Sequence, residues 1–322
     1  MDHVIVTVTM NAAIDRTLTV PNFQLGHRHR ASQGLTLAGG KGINVARALK
    51  LLNYPVVATG LAGGRTGTRV VEELTSEAIL NDFVRIADES RTSSAVVDPT
   101  GNTYTEINEW GPHVELEELE ILLEKVHYLS RGAEAVVFAG SLPRGVGADF
   151  YAEAIRELNR RNVRCVLDSE GEPLRLGVEA EPFLVAPNQQ EAEALVGQEF
   201  QAEDDFVVAL DAIAELGARN VLLSQETGCY ALLRESRRPE RLHASAPRVD
   251  PVSVVGAGDV LLAAFIAGRL EERTEEDALR FAVAAATAST LTVGAGRLDP
   301  REAGRLVNHV QVEKLEAVAS EA

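Results

Sequence analysis

Short β-branched runs alternate with stretches of helical periodicity along most of this chain, and that alternation limits the fold more than any other feature. Strands are expected over residues 4–8, 56–60, 135–138, 164–167, 183–185 and 221–223. Apolar residues recur at helical spacing over 42–52, 66–77, 148–159, 190–195, 205–216 and 260–270. Helices of that length between strands make βαβ units, whose strands run parallel. The strand runs are apolar without strict alternation, as expected where helices cover both faces. The pattern predicts an α/β fold on a mostly parallel central sheet.

Two stretches break the rhythm. Residues 17–37 and 94–107 alternate polar and apolar side chains and carry no helical signal, so they read as antiparallel ribbons with one wetted face. They are expected to form a small β-sheet lid from residues 10–37 and 94–112, with 1–9, 38–93 and 113–322 making up the α/β domain. An exposed sheet face and edge invite pairing with a second copy, which predicts a homodimer through the lid.

Charge narrows the function. With 31 Lys and Arg against 48 Asp and Glu, the 322-residue chain has a formal net charge of −17 at pH 7. Such a surface repels phosphate backbones and anionic lipid, which argues against nucleic-acid and membrane partners. An anionic ligand must then rely on a few local cations and backbone amides. Cys165 and Cys229 stand in apolar surroundings without metal-ligand spacing and read as small core residues in a reducing compartment. The N-terminal MDHVIVTVTMNAAID is unlike a secretory signal, and the apolar run at 281–288 is too short to span a bilayer. A cytoplasmic protein is expected.

Several glycine-rich turns follow the strands. Gly256, Ala257, Gly258 and Asp259 precede the apolar segment VLLAAFIAGRL. Small residues let backbone approach a ligand, and the free amides of a helix start attract anions. Asp259 is there either a helix cap or a base beside the bound anion. AGGKG at 38–42 opens a second helix but lacks the spacing of a P-loop. GLAGGRTG at 60–67 lacks GxGxxG and reads as an ordinary strand-to-helix turn. Asn188 and Glu191 share one helical face, a pattern that suits hydrated Mg²⁺ and equally suits an Asn-capped helix start. AGSLPRG offers the Ser141 hydroxyl, and DSEGEPL, from Asp168, is an acidic loop after a strand.

Taken in order, TMNAAIDRT, AGGKGINVAR, AGSLPRG, DSEGEPL, PNQQEAE and VGAGD resemble the ribokinase-like sugar kinases of the PfkB group over nearly the whole chain. The resemblance implies a three-layer α/β/α sandwich with a small β lid, and Mg-ATP meeting a sugar between them. It makes Asp259 the base and Gly256, Ala257 and Gly258 the source of amides for the transferring phosphoryl group. Asp15, Gly39, Gly40 and Asn44 would hold sugar hydroxyls. Lys41, Arg30 and Arg91 would hold a sugar phosphate, with Ser141 bonding that phosphate or the bridging region. Asn188 and Glu191 would organise Mg²⁺ through water, and Asn188, Ser224 and Gly228 would lie beside the nucleotide. TEINEWGP, with Asn108 on the substrate side, is most similar to the bacterial 1-phosphofructokinases; tagatose-6-phosphate kinases usually carry leucine there.

Departures from the group pattern fall mostly near the nucleotide. Its Lys-Pro-Asn is Ala186-Pro187-Asn188 here, and its nucleotide loop is the shorter SQETGCY. Arg144 and Trp110 stand where proline is common, and an arginine that some relatives of 6-phosphate sugars carry near Thr105 is missing. The expected activity is ATP-dependent phosphorylation of a ketohexose phosphate, fructose 1-phosphate to fructose 1,6-bisphosphate. Tagatose 6-phosphate or fructose 6-phosphate is the alternative acceptor. A catalytically weak sugar-phosphate sensor is the alternative class, and a retained Asp259 argues against it. A nucleotide-binding oxidoreductase rests on glycine turns alone.

Overall fold

The computed structural model describes residues 4–234 and 239–318. The chain enters β1 (Val4–Thr9), leaves for β2 (Ala13–Thr19) and β3 (Gln33–Gly39), and returns through α1 (Lys41–Leu51), β4 (Val56–Gly63), α2 (Gly64–Ser76) and β5 (Leu80–Ile86). A second excursion, β6 (Arg91–Asp98) and β7 (Thr103–Asn108), precedes α3 (Leu116–Leu129) and β8 (Ala133–Ala139). Then come α4 (Phe150–Asn159), β9 (Arg164–Asp168), α5 (Gly171–Val178), β10 (Leu184–Val185), α6 (Gln189–Val196), α7 (Glu203–Leu216) and β11 (Asn220–Gln225). The last part is β12 (Gly228–Leu233), β13 (Glu240–Ser245), α8 (Ala257–Leu270), α9 (Glu275–Ser289), α10 (Pro300–Leu306) and β14 (Gln311–Leu315).

The central sheet runs β14-β13-β12-β11-β10-β9-β8-β1-β4-β5. From β11 to β5 neighbouring strands are parallel, while β12, β13 and β14 extend the β11 edge antiparallel. Helices cover both faces, as the apolar strands require. Ile5 points into a core shared with α1, α8 and α9, whereas Val6 and Val8 point into one shared with α4 and α7. Each fully buried aliphatic side chain contributes roughly 1.5–3 kcal/mol against its exposed state. Helix α8 is apolar on every side because it lies between α1 and α9. Small residues set that packing: a Cβ on Gly268 would come 3.2 Å from Ala278. Cys165 and Cys229 are buried free thiols. Among the described residues no helix is long and apolar enough to cross a membrane.

The two ribbons form a separate four-stranded sheet, β3-β2-β6-β7. Each ribbon is an antiparallel hairpin, as expected, but the joint between them is parallel, from Ala13↔Arg91 to Thr19↔Val97. The reason lies in the body. β2 and β6 leave the C-terminal ends of β1 and β5, which point the same way, so both set out in one direction.

Candidate active site

Between the C-terminal ends of the parallel strands and the small sheet lies a cavity of about 350 Å³. The small sheet lends Asp15, Ser93 and Arg91 to its wall, and the start of α1 lends Gly40, Lys41 and Asn44. Asp168 stands at the end of β9, Asn188 and Glu191 at the start of α6, and Gly256 to Asp259 at the start of α8.

The opening of α8 depends on glycine. Gly256 has φ +78°, and a Cβ there would meet Ala295 at 2.9 Å. A Cβ on Gly258 would meet nothing within 4 Å, so the turn borders open space there, while the Ala257 N–H donates to the Val254 carbonyl at 3.3 Å. Asp259 does not cap the helix, since Gly256 is the cap residue and no side chain bonds it. Its buried carboxylate instead accepts a hydrogen bond at Oδ2 from Asn44 Nδ2, at 2.8 Å. Burial pushes the Asp259 carboxyl up to about 7, helped by the nearby charge of Asp168 and opposed by Lys41 and by the Asn44 bond. A carboxyl that ionises near neutrality is suited to accept a proton in a reaction.

Lys41 sits between two carboxylates, 2.7 Å from Asp168 and 3.1 Å from Glu191. Burial alone would lower its pKa, but Asp168, Glu191 and Asp259 outweigh it and hold the ammonium firmly protonated. Glu191 also closes a reciprocal cap with Asn188. Its backbone N–H donates to Asn188 Oδ1 at 2.9 Å, and its Oε2 accepts from the Asn188 N–H at 2.8 Å. The NQQE pattern thus serves as a helix start, worth about 1 kcal/mol, while keeping Glu191 turned toward Lys41. Burial holds the Glu191 carboxyl above its ordinary value, against the opposing charge of Lys41.

Across the cavity, Asp15 is half-buried on β2. Desolvation pushes its carboxyl up to about 6, against the pull of Arg91 and with the help of Glu106. Gly39 is glycine because the Asp15 carboxylate occupies the place of a side chain: a Cβ would lie 1.9 Å from Oδ2. Arg91 donates to the Asn11 carbonyl at 3.4 Å and to Asn108 Oδ1 at 3.2 Å, which leaves further N–H groups on the guanidinium. Ser93 Oγ donates to the same Asn108 oxygen at 2.6 Å.

Asp15, Gly40, Lys41, Asn44, Arg91, Asn108, Asn188, Glu191, Ser224 and the GAGD turn therefore meet in one cavity. Others named from the sequence do not line it, among them Gly39, which packs against Asp15 at the end of β3. Arg30 is exposed on the connection between β2 and β3. Ser141 is half-buried and accepts from Asn11 Nδ2 at 3.2 Å. Gly228 begins β12, where a Cβ would strike the Ala244 carbonyl at 2.0 Å, so its glycine serves the β12–β13 ladder. SQETGCY is a tight hairpin turn closed by Gln225↔Gly228, and from it Ser224 reaches the cavity, bridged to Asn188. Lys41, expected free for a phosphate, is already held by two carboxylates. Asp168 was visible in the sequence as an acidic loop residue, yet nothing marked it as the partner of Lys41. Ser93 and Glu106 carried no signal beyond strand alternation.

A buried carboxylate beside a glycine-opened helix start, with cations on both walls, is equipment suited to moving a phosphoryl group onto a hydroxyl. Comparison with known proteins places the chain in that class: residues 1–302 match the pfkB family carbohydrate kinases. The chain belongs to that family and is a sugar kinase. It is 32% identical over 287 residues, 89% of this chain and 92% of the relative, to the 1-phosphofructokinase of Borreliella burgdorferi. It is 27% identical to the tagatose-6-phosphate kinase of Staphylococcus epidermidis, over 96% of this chain and 99% of that one. A solved structure from Thermotoga maritima, described as a possible 1-phosphofructokinase, superimposes with a TM-score of 0.88 at 27% identity, covering 98% of this chain and 100% of that one.

Proposed function

We propose that the protein transfers the terminal phosphoryl group of ATP to fructose 1-phosphate, giving fructose 1,6-bisphosphate and ADP. The observation that carries this reading is the placement of Asp259, held by Asn44, beside the free amides at the start of α8. With Oδ2 bonded to Asn44, Oδ1 is left to take the proton of the sugar hydroxyl. That hydroxyl oxygen bonds to the terminal phosphorus as the bond to the ADP oxygen breaks. Amides at Gly256 and Gly258 stabilise charge on the transferring oxygens, where preorganised donors act most strongly; the Ala257 amide, expected to join them, is held by the Val254 carbonyl. Asp15, Gly40 and Asn44 hold the sugar, Arg91 and Asn108 its phosphate end, and Ser224 the nucleotide side.

Asn188 and Glu191 would hold Mg²⁺ through water rather than directly, because their oxygens already serve the helix cap and Lys41, and hard cations readily retain water. When bound there, the ion neutralises phosphate charge. The small sheet, from residues 10–37 and 94–112, acts as a lid that excludes water from the transfer. It also pairs two copies. Buried free thiols support a reducing compartment, the cytoplasm.

A panel of fructose 1-phosphate, fructose 6-phosphate, tagatose 6-phosphate and unphosphorylated sugars, read by coupled ADP release, tests the reading. The highest kcat/KM is expected for fructose 1-phosphate. Turnover confined to the 6-phosphates would move the acceptor to tagatose 6-phosphate or fructose 6-phosphate, and tight binding without turnover would make the protein a sensor.

A further inference from the structure

Behind Asp259 lies a buried guanidinium that the chemistry above leaves unused. Arg47, 3% exposed, stands one turn after Asn44 on α1. Nε and Nη2 reach the two carboxylate oxygens of Glu77 at 2.6 and 3.2 Å. Nη2 also donates to the Ala38 carbonyl at 2.7 Å, and Nη1 donates to Asn44 Oδ1 and the Ala295 carbonyl, each at 3.2 Å. Every N–H of the side chain is engaged.

Arginine has no acceptor, so the amide of Asn44 presents its oxygen to Arg47 and its NH₂ to Asp259. Reversing that amide would set an oxygen against a carboxylate. The other two acceptors lie in equally telling places. Ala38 precedes Gly39, Gly40 and Lys41 at the end of β3. Ala295 packs under Gly256, where a Cβ would come within 2.9 Å of it. One side chain therefore touches the amide that holds the base, the segment under the amide-lined turn, and the strand that leads into the sugar-binding loop.

We propose that Arg47 is a positioning residue for phosphoryl transfer: it fixes the Asn44 amide that aims Asp259 and pins Ala295 beneath Gly256, with Glu77 as its counterion. The inference rests on Asp259 being the base. Burying a guanidinium is costly unless every donor is satisfied and a counterion is at hand, and both conditions hold here. Lysine in its place would keep the charge but lose the planar fork that serves three directions at once.

The test is a mutant cycle of Arg47→Lys and Asn44→Ala, assayed with whichever sugar phosphate the wild type turns over. Arg47→Lys is expected to lower kcat about 10–100-fold, the usual range for an outer residue that orients an inner one. KM for ATP and for the sugar should change by less than about threefold, because Arg47 touches neither. In the Asn44→Ala background the same substitution should cost at least about fivefold less, since coupled residues are not additive. An unchanged kcat in folded Arg47→Lys, or an equal loss in both backgrounds, overturns the inference. Should Arg47→Lys fail to fold, Glu77→Gln at the outer end of the pair is expected to lower kcat up to about tenfold at constant KM. Wild-type kcat in that variant would also overturn it. Asp259→Asn is assayed alongside: retained turnover there removes the base itself, whereas an inactive Asp259→Asn beside a fully active Arg47→Lys removes only the role given to Arg47.

Discussion

The carboxyl of Asp259 is kept from water by the same packing that lets α8 run through the core. In the free enzyme kcat/KM should therefore rise with pH through about 7, as the carboxyl loses its proton. Asp259→Asn keeps the shape and an oxygen for Asn44 but cannot accept the proton, and turnover should fall roughly 10²–10⁴-fold. Stability should move the other way. The unfolded chain ionises near 3.8 and the folded chain near 7, so native Asp259 destabilises increasingly across that interval and fully above it. Thermal melts of Asp259→Asn should match the parent near pH 4 and exceed it at about pH 8. Arg91→Ala should raise KM for the sugar phosphate far more than for ATP; equal effects on both would mark Arg91 as a support of the small sheet. At this scale the GAGD turn was legible because a short glycine motif constrains backbone and chemistry together, and Asp15 and Asn44 through the resemblance carried by TMNAAIDRT and AGGKGINVAR. Arg47 was not. A charged residue between Ala46 and Ala48 looks like a solvated position, and only the approach of Ala38, Ala295 and Glu77 turns it inward.

Elements show where glycine is spent on contact between strands. Thr9 pairs with Gly60 in the β1–β4 ladder, and Gly60 has φ +144° with its Cβ direction blocked 1.9 Å away by the Thr9 carbonyl. Gly60→Ala should destabilise by about 3 kcal/mol or more, the scale of forced backbone displacement in a core. Chemical denaturation reads it directly, and a loss within about 0.5 kcal/mol would refute the steric account. Residues 60–67, expected as a strand-to-helix turn, are instead the end of β4 running directly into the first turn of α2, and Gly60 serves the packing of β1 on β4. The alternation of apolar runs located the parallel strands except β5, and most helices, to within a few residues. It missed the antiparallel edge for two opposite reasons. β12 is buried throughout and could pass for a helix core, while β14 is largely exposed and polar and gives no periodic signal. The parallel joint between the ribbons was also hidden, since it follows from the direction in which β1 and β5 end.

At the scale of the whole molecule, the small sheet presents an open edge with apolar neighbours, although Leu80, Leu116 and Tyr128 are also exposed on the body. Every residue of β7 is exposed, and Ile107 and Trp110 stand 65% and 88% open. An unprotected edge strand with apolar neighbours is a template for a second copy. Light scattering should accordingly give a dimer. Trp110 is the chain's single tryptophan, so its emission should shift to the blue as concentration rises through the association range. A monomer at all concentrations, with constant emission, would remove the dimer and leave the site intact.

The ladder that joins β2 to β6 has a consequence in time as well as in space. Ala13 cannot meet Arg91 until β1, α1, β4, α2 and β5 have assembled and carried the two strand ends side by side. Contacts between segments so far apart in sequence must overcome chain entropy before they gain anything in return. The body should therefore acquire its helices first and the small sheet last. In refolding from denaturant, far-UV ellipticity should recover ahead of kinase activity, with a lag that does not depend on protein concentration. Simultaneous recovery would mean that the two hairpins find one another without the scaffold between them.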